Sequence, residues 1–263
     1  MPNFTTASPT INAAISSTAT NGMMQRMFYL RMGSTVTAAT TGSGAVTIMR
    51  GNQRPQMPSN GSGVSGFIAA NAWGFNNVVN TGLVYGLEYE LGSLAVSGNT
   101  FTDGVAMPTK TVRGASITTA ASLVFAVATV AVTATTPTLT ITYTDQDGNT
   151  GQTATLTLPT SPTVNTGFYV TPHLASGDTG IRDVTNISIS TGTAGTIKVY
   201  GVLPLMISTG QSTNVGLATV LNPLNSTIVP YLIEPNEYIG FYRFGNTAAG
   251  EIYAGFNLVP ETT

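Results

Sequence analysis

The 263-residue chain has a net charge of −2 and 42% hydrophobic residues, enough core for one large or two ordinary domains. It has no cysteine, which excludes disulfides, thiol nucleophiles and thiolate metal sites together. Charged residues make up 8%, against roughly 25% in ordinary soluble domains, and with no basic stripe a nucleic-acid partner is not expected.

Residues 1–45 are dominated by Thr, Ala, Ser, Asn and Gly and read as an extended N-terminal arm. The start, Met1-Pro2-Asn3-Phe4, lacks a basic segment followed by an apolar run, so no signal peptide is expected. Within the arm, Met23 to Leu30 is the strongly apolar patch, readable as a core strand or as an adaptable Met-rich contact with a neighbouring subunit. Residues 42–66, with Arg54-Pro55-Gln56-Met57-Pro58 and Asn60-Gly61-Ser62-Gly63, read as a long loop. Short apolar segments at Gly66–Ala72 and Leu83–Leu94 follow, and the second alternates as a strand does. Composition shifts near Pro108 to Ser116. The expected organisation is therefore an arm (1–45), a loop-rich β region (46–115) and a β-sandwich domain (116–263).

Beyond residue 115 the pattern is all-β. Ala121 to Val132 is a β-branched run suited to a strand buried on both faces. The longest apolar stretch, Ala120–Ala134, is too short for a membrane helix of about 20 residues, so no membrane partner is expected. Leu139-Thr140-Ile141-Thr142-Tyr143 and Ala154-Thr155-Leu156-Thr157-Leu158 alternate apolar with polar, and the Asp-Gly between them signals a hairpin. Further strands are expected at Gly167–Thr171, Ile187–Ser190, Ile197–Leu203, Tyr238–Phe244 and Ile252–Leu258. Turn residues separate them at sandwich-like spacing, and no segment carries a helical apolar period with caps. The fold class is all-β, a β-sandwich of jelly-roll or immunoglobulin-like type with an extended N-terminal arm and a loop-rich N-terminal region.

The low charge bears on function. A monomer of this mass exposes about 11,000 Å², so each charge would serve roughly 500 Å² of surface. Much of the exterior must then be Thr, Ser, Asn, Gln, Gly and Ala, which gives little colloidal repulsion. A subunit that covers this surface with copies or partners escapes the difficulty. Composition thus points to assembly.

Candidates for chemistry are few. The sole histidine, His173, follows Thr171-Pro172, with Asp178 the nearest acid in sequence and no Gly-x-Ser-x-Gly elbow to make a triad. Asp178-Thr179-Gly180 matches the aspartic-protease tripeptide, but that chemistry needs two carboxylates sharing a proton and no second copy exists. Asp145-Gln146-Asp147-Gly148-Asn149 resembles a calcium loop, yet Thr150 and Leu156 stand where an EF-hand needs glycine and a bidentate acid. Glu88 and Glu90 lie two apart on a strand, about 6.6 Å along one face, a spacing that could suit glycoside hydrolysis only inside a cleft. Trp73, Tyr231, Tyr238 and Tyr242 could stack on sugars or serve as core or interface anchors. Asn186-Ile187-Ser188 is a sequon without a secretory signal. No catalytic, cofactor-binding or metal residue is assigned, no cofactor is expected, and the chain is read as a non-enzyme.

The run Thr140 to Gly148, continuing through Leu156-Thr157-Leu158-Pro159, Gly177 to Val184 and Val199-Tyr200-Gly201-Val202-Leu203-Pro204-Leu205, resembles structural proteins of tailed bacteriophages. The resemblance covers roughly residues 121–205 and transfers no catalytic residue. It implies a virion component assembled in the host cytoplasm, such as a capsid decoration, cement or minor capsid protein. The implied partners are the major capsid protein, other virion proteins and copies of itself, with a trimer favoured. The other reading is a tail, baseplate or fibre protein with a receptor- or glycan-binding role.

Overall fold

A computed structural model of the chain describes residues 30–32, 47–50, 64–76, 81–112, 115–164, 166–208, 219–221, 233–234, 237–245 and 252–262. Among these there is no α-helix, and two short 3-10 turns are embedded in β-structure. The strands in chain order are β1 (Leu30–Met32), β2 (Thr47–Arg50), β3 (Val64–Asn76), β4 (Thr81–Ala95), β5 (Thr100–Asp103), β6 (Thr109–Val112), β7 (Ala115–Thr118) and β8 (Leu123–Thr133). They continue as β9 (Thr138–Asp145), β10 (Gln152–Thr157), β11 (Thr166–Tyr169), β12 (Ile181–Ile189), β13 (Ala194–Ser208), β14 (Thr219–Leu221), β15 (Tyr238–Gly245) and β16 (Ile252–Thr262).

The β9–β10 hairpin shows how sequence becomes structure here. Leu139, Ile141 and Tyr143 are fully buried, while the intervening threonines of β9 are half-buried on the other face. Because side chains alternate across a strand, Ala154 and Leu156 of β10 take the same inner side. The turn closes through Gly148, whose φ of +94° is the left-handed conformation that glycine adopts without Cβ strain. On the far side of β9, β12 pairs antiparallel from Ile181 to Ile189 and completes a sheet of order β10-β9-β12.

The larger sheet has order β13-β8-β11-β2-β15-β4-β5. Its β4 also pairs with β13, from Leu83–Ser208 to Ala95–Thr196, so six of its strands close into a ring with β5 attached outside. The three-stranded sheet packs on one wall of this ring. Leu87, Leu91 and Leu94 of β4, Val124, Ala126 and Ala128 of β8, and Ile197 and Val199 of β13 join Leu139, Ile141, Ile181, Val184 and Ile187 in one apolar layer. The expected all-β sandwich is thus present, and its larger layer additionally closes on itself. Two smaller sheets, β1-β16-β3-β14 and the β6-β7 hairpin, complete the described strands.

The opposite faces of β8 and β13 carry Phe125, Val127, Tyr200 and Val202, which cluster with Tyr242 of β15. Strands β8 and β15 are separated in the ring by β11 and β2, yet the Phe125 and Tyr242 rings stack at 4.3 Å. That contact crosses the ring interior. It explains why Val124 to Ala128 are all buried: both faces of β8 meet protein, as the β-branched run predicted.

Several expectations change. Residues 42–66, read as one loop, contain β2 and the start of β3; Thr47–Phe168 and Ile48–Phe244 pairing recruits a run too short to stand out in the sequence. β12 begins at Ile181, six residues before the strand expected at Ile187–Ser190, and β13 runs on past the expected Leu203 through Pro204 to Ser208. Proline is tolerated there because the register slips between Pro204 and Met206. The pairing of β4 with β13 and β15 runs across the composition shift near Pro108–Ser116. Of the arm at 1–45, β1 alone is described, paired with Ile252–Ala254; the rest, including Met23–Tyr29, lies outside the described residues.

Candidate functional site

The hairpin loop is the first place where polar groups converge. Asp145 is 2% exposed at the end of β9. Its Oδ1 accepts the amides of Asp147 and Asn149, each at 2.8 Å, and its Oδ2 accepts the Asn149 side-chain N–H at 2.7 Å. Burial pushes this carboxyl upward, but the donors from Asn149, Asp147 and Gly148 outweigh it and leave it below the usual carboxylate range. The oxygens a cation would need are already satisfied by N–H groups. Among the described residues, no three His, Cys, Asp or Glu side chains converge to hold a metal.

The same loop latches onto the Asp178-Thr179-Gly180 turn. Gln146 Oε1 accepts the amides of Thr179 at 2.8 Å and Gly180 at 3.3 Å. The Tyr143 hydroxyl donates to Asp178 Oδ2 at 2.6 Å and accepts the Ala175 amide at 2.8 Å. Burial, together with the Asp178 hydrogen bond, raises the Tyr143 phenol from 10.0 to about 12. Asp178 therefore anchors a turn and does not face a second carboxylate as a shared-proton pair would. His173 sits exposed at the end of the 3-10 turn Thr171–His173, its backbone amide donating to Val170.

Glu88 and Glu90 take separate partners. Glu88 is 2% exposed and accepts the Tyr242 hydroxyl at 2.5 Å. Gly240 makes room for it, since a Cβ there would stand 2.5 Å from Glu88 Oε2. Glu90 is half-buried and pairs with Lys198 on the adjacent strand at 2.7 Å. A second ion-pair network, which sequence reading missed, surrounds Lys110 of β6. Its fully buried Nζ donates to both oxygens of Glu237 at 2.8 Å, with Glu234 at 3.5 Å. The Tyr89 hydroxyl donates to the same Glu237 carboxylate. Residues 110 and 237 are too far apart in sequence for any local pattern to announce the pair.

The aromatics divide between surface and interior. Tyr242 is fully buried and Tyr238 is exposed. Trp73 lies in β3 opposite Gly255, Tyr231 lies outside the described residues, and the sequon Asn186 is exposed on β12.

One surface is built with regularity. On the outer face of the small sheet, Thr142 stands opposite Thr153, Thr140 opposite Thr155, and Thr138 opposite Thr157. On the other flank, Asn186 is opposite Thr142 and Ser188 opposite Thr140. Thr153, Thr155, Thr157 and Asn186 are exposed. The next pair along, Thr144 opposite half-buried Asp183, places one charge at the end of these rows.

No family model matches the chain. No curated protein matches it. Among solved structures it is matched to the D431N mutant VP2 protein of infectious bursal disease virus in derived T=1 particles, at 11% identity and a TM-score of 0.19 over 92% of this chain and 79% of that one.

Proposed function

We propose that the chain is a non-enzymatic structural component of a virus particle, a capsid decoration, cement or minor capsid protein of the tailed-phage type. It acts through uncharged contacts with the major capsid protein, other virion proteins and its own copies, as a homo-oligomer for which a trimer is the expected form. The observation that carries this reading is where the few charges go. Lys110, Glu88 and Asp145 are spent in the interior, and Thr, Ser and Asn pave most of the outer face of the small sheet. Among the described residues this withdraws three charges from an already charge-poor exterior, and polar uncharged faces of this kind are tolerable where neighbours cover them. A standard interface buries about 1,600 Å², so many copies can stabilise a shell through repeated modest contacts.

In this reading the extended Thr-rich arm is pinned on neighbouring virion proteins, so the test is removal of residues 1–40. The truncated chain should keep its far-ultraviolet β signature and lose binding to particles; full-occupancy decoration by the truncated chain would overturn the assigned role of the arm. Antibody labelling of particles distinguishes head from tail placement.

A further inference from the structure

The two outer edges of the small sheet are treated differently. On β12, the Ile181 amide and carbonyl bond to Ala121, the Arg182 carbonyl accepts the Met107 amide, and the Ile189 amide donates to the Asn99 side chain. That edge is capped at both ends. On β10, Leu158 donates to Pro137 in register with the Gln152–Tyr143 and Ala154–Ile141 pairs, so even-numbered residues of β10 point their backbone groups at β9. Thr153, Thr155 and Thr157 consequently turn their N–H and C=O groups outward. Among the described residues nothing bonds to them. The usual guards of an exposed edge are charge, proline, a bulge or extreme shortness. Six-residue β10 is uncharged, proline-free and in unbroken register.

We infer that β10 is a self-association edge, pairing antiparallel with β10 of a second copy about a twofold axis through Thr155. The strand is self-complementary in this register. On the outer face Thr155 meets Thr155 and Thr153 meets Thr157, repeating the Thr–Thr pairs that β10 already makes with β9. On the inner face small Ala154 meets large Leu156 in both directions. No like charges oppose one another, and up to ~6 backbone hydrogen bonds form across three residue pairs. The two three-stranded sheets merge into one of six strands with a continuous threonine face. A twofold contact does not close a trimer; it joins one oligomer to the next. It is also a property of the isolated chain, so it can fail while particle binding stands, and the reverse.

The chain's lack of cysteine makes the test direct. In the full chain, Thr155→Cys should oxidise to a covalent dimer, because opposed residues in such a pair sit about 5.5 Å apart at Cα, within disulfide reach. Thr153→Cys alone should not cross-link, but mixed with Thr157→Cys it should. In sedimentation, Thr155→Lys and Thr155→Glu should each weaken self-association roughly tenfold or more, with an equimolar mixture restoring it through opposite charges. Circular dichroism of each variant checks that the exposed substitutions leave the fold intact. Equal cross-linking by Thr153→Cys and Thr155→Cys would overturn the register. Unchanged association of Thr155→Lys, or loss of association on deleting residues 1–29 with no Thr155→Cys dimer, would overturn the proposal by showing another surface or the arm at work.

Discussion

The two faces of β8 and β13 make an instructive comparison. One face contributes Val124, Ala126, Ala128, Ile197 and Val199 to an aliphatic layer shared with the small sheet, and its partners are close-packed hydrocarbon. The other contributes Phe125, Val127, Tyr200 and Val202 to the ring interior, where Tyr242 stacks on Phe125 and donates to a buried carboxylate, Glu88. Apart from the Tyr143 hydroxyl at its margin, the aliphatic layer gains from area and tolerates conservative swaps of shape. The interior adds a directional requirement, because a buried carboxylate is costly once a donor is removed. One pair of strands therefore supports two kinds of core.

Phe125→Ala should separate the two most strongly. It empties the centre of the ring and unstacks Tyr242, at a cost of about 3–5 kcal/mol, measurable as a lower denaturant midpoint. Tyr242→Phe keeps the ring volume and deletes one donor to Glu88; the expected loss is about 1–3 kcal/mol. If this variant were as stable as the parent, the directional character of the interior would be gone. Ile141→Val on the aliphatic side should cost about 0.5–1.5 kcal/mol, and a larger loss than that of Tyr242→Phe would reverse the ranking of the two cores.

The smallest effect concerns pH. Tyr143 of the aliphatic layer has its phenol raised from 10.0 to about 12 in the fold. A raised folded value means the neutral phenol is favoured by folding. Its contribution is complete below pH 10 and is lost as pH climbs through 10 towards 12. Thermal melts across this window should decline less steeply in Tyr143→Phe than in the parent, and parallel declines would remove the raised phenol that burial and the Asp178 hydrogen bond are held to produce.

The alternation of Leu139, Ile141 and Tyr143 with threonine, the Asp-Gly turn and the β-branched run of β8 are local signals, so the hairpin and the doubly buried strand were legible in advance. The loop at 145–149 was legible as a turn from its Asp-Gly, whereas the closure of Asp145 by the Asp147 and Asn149 amides was not. β2 and the start of β12 were not, since both are short or interrupted runs whose strand character comes from pairing with distant segments. Lys110 with Glu237, and Glu88 with Tyr242, were invisible for the same reason: each joins residues more than a hundred positions apart.

Composition and periodicity, then, determined the all-β class, the sandwich and the scarcity of surface charge, because these depend on residue type and on a two-residue repeat that any strand obeys. Closure of the ring, the burial of particular charges and the contrast between a β12 edge capped at both ends and a β10 edge that nothing among the described residues bonds were decided by tertiary structure. Those properties depend on which strands lie side by side, and backbone hydrogen bonding, being the same for every residue, leaves that choice to long-range packing.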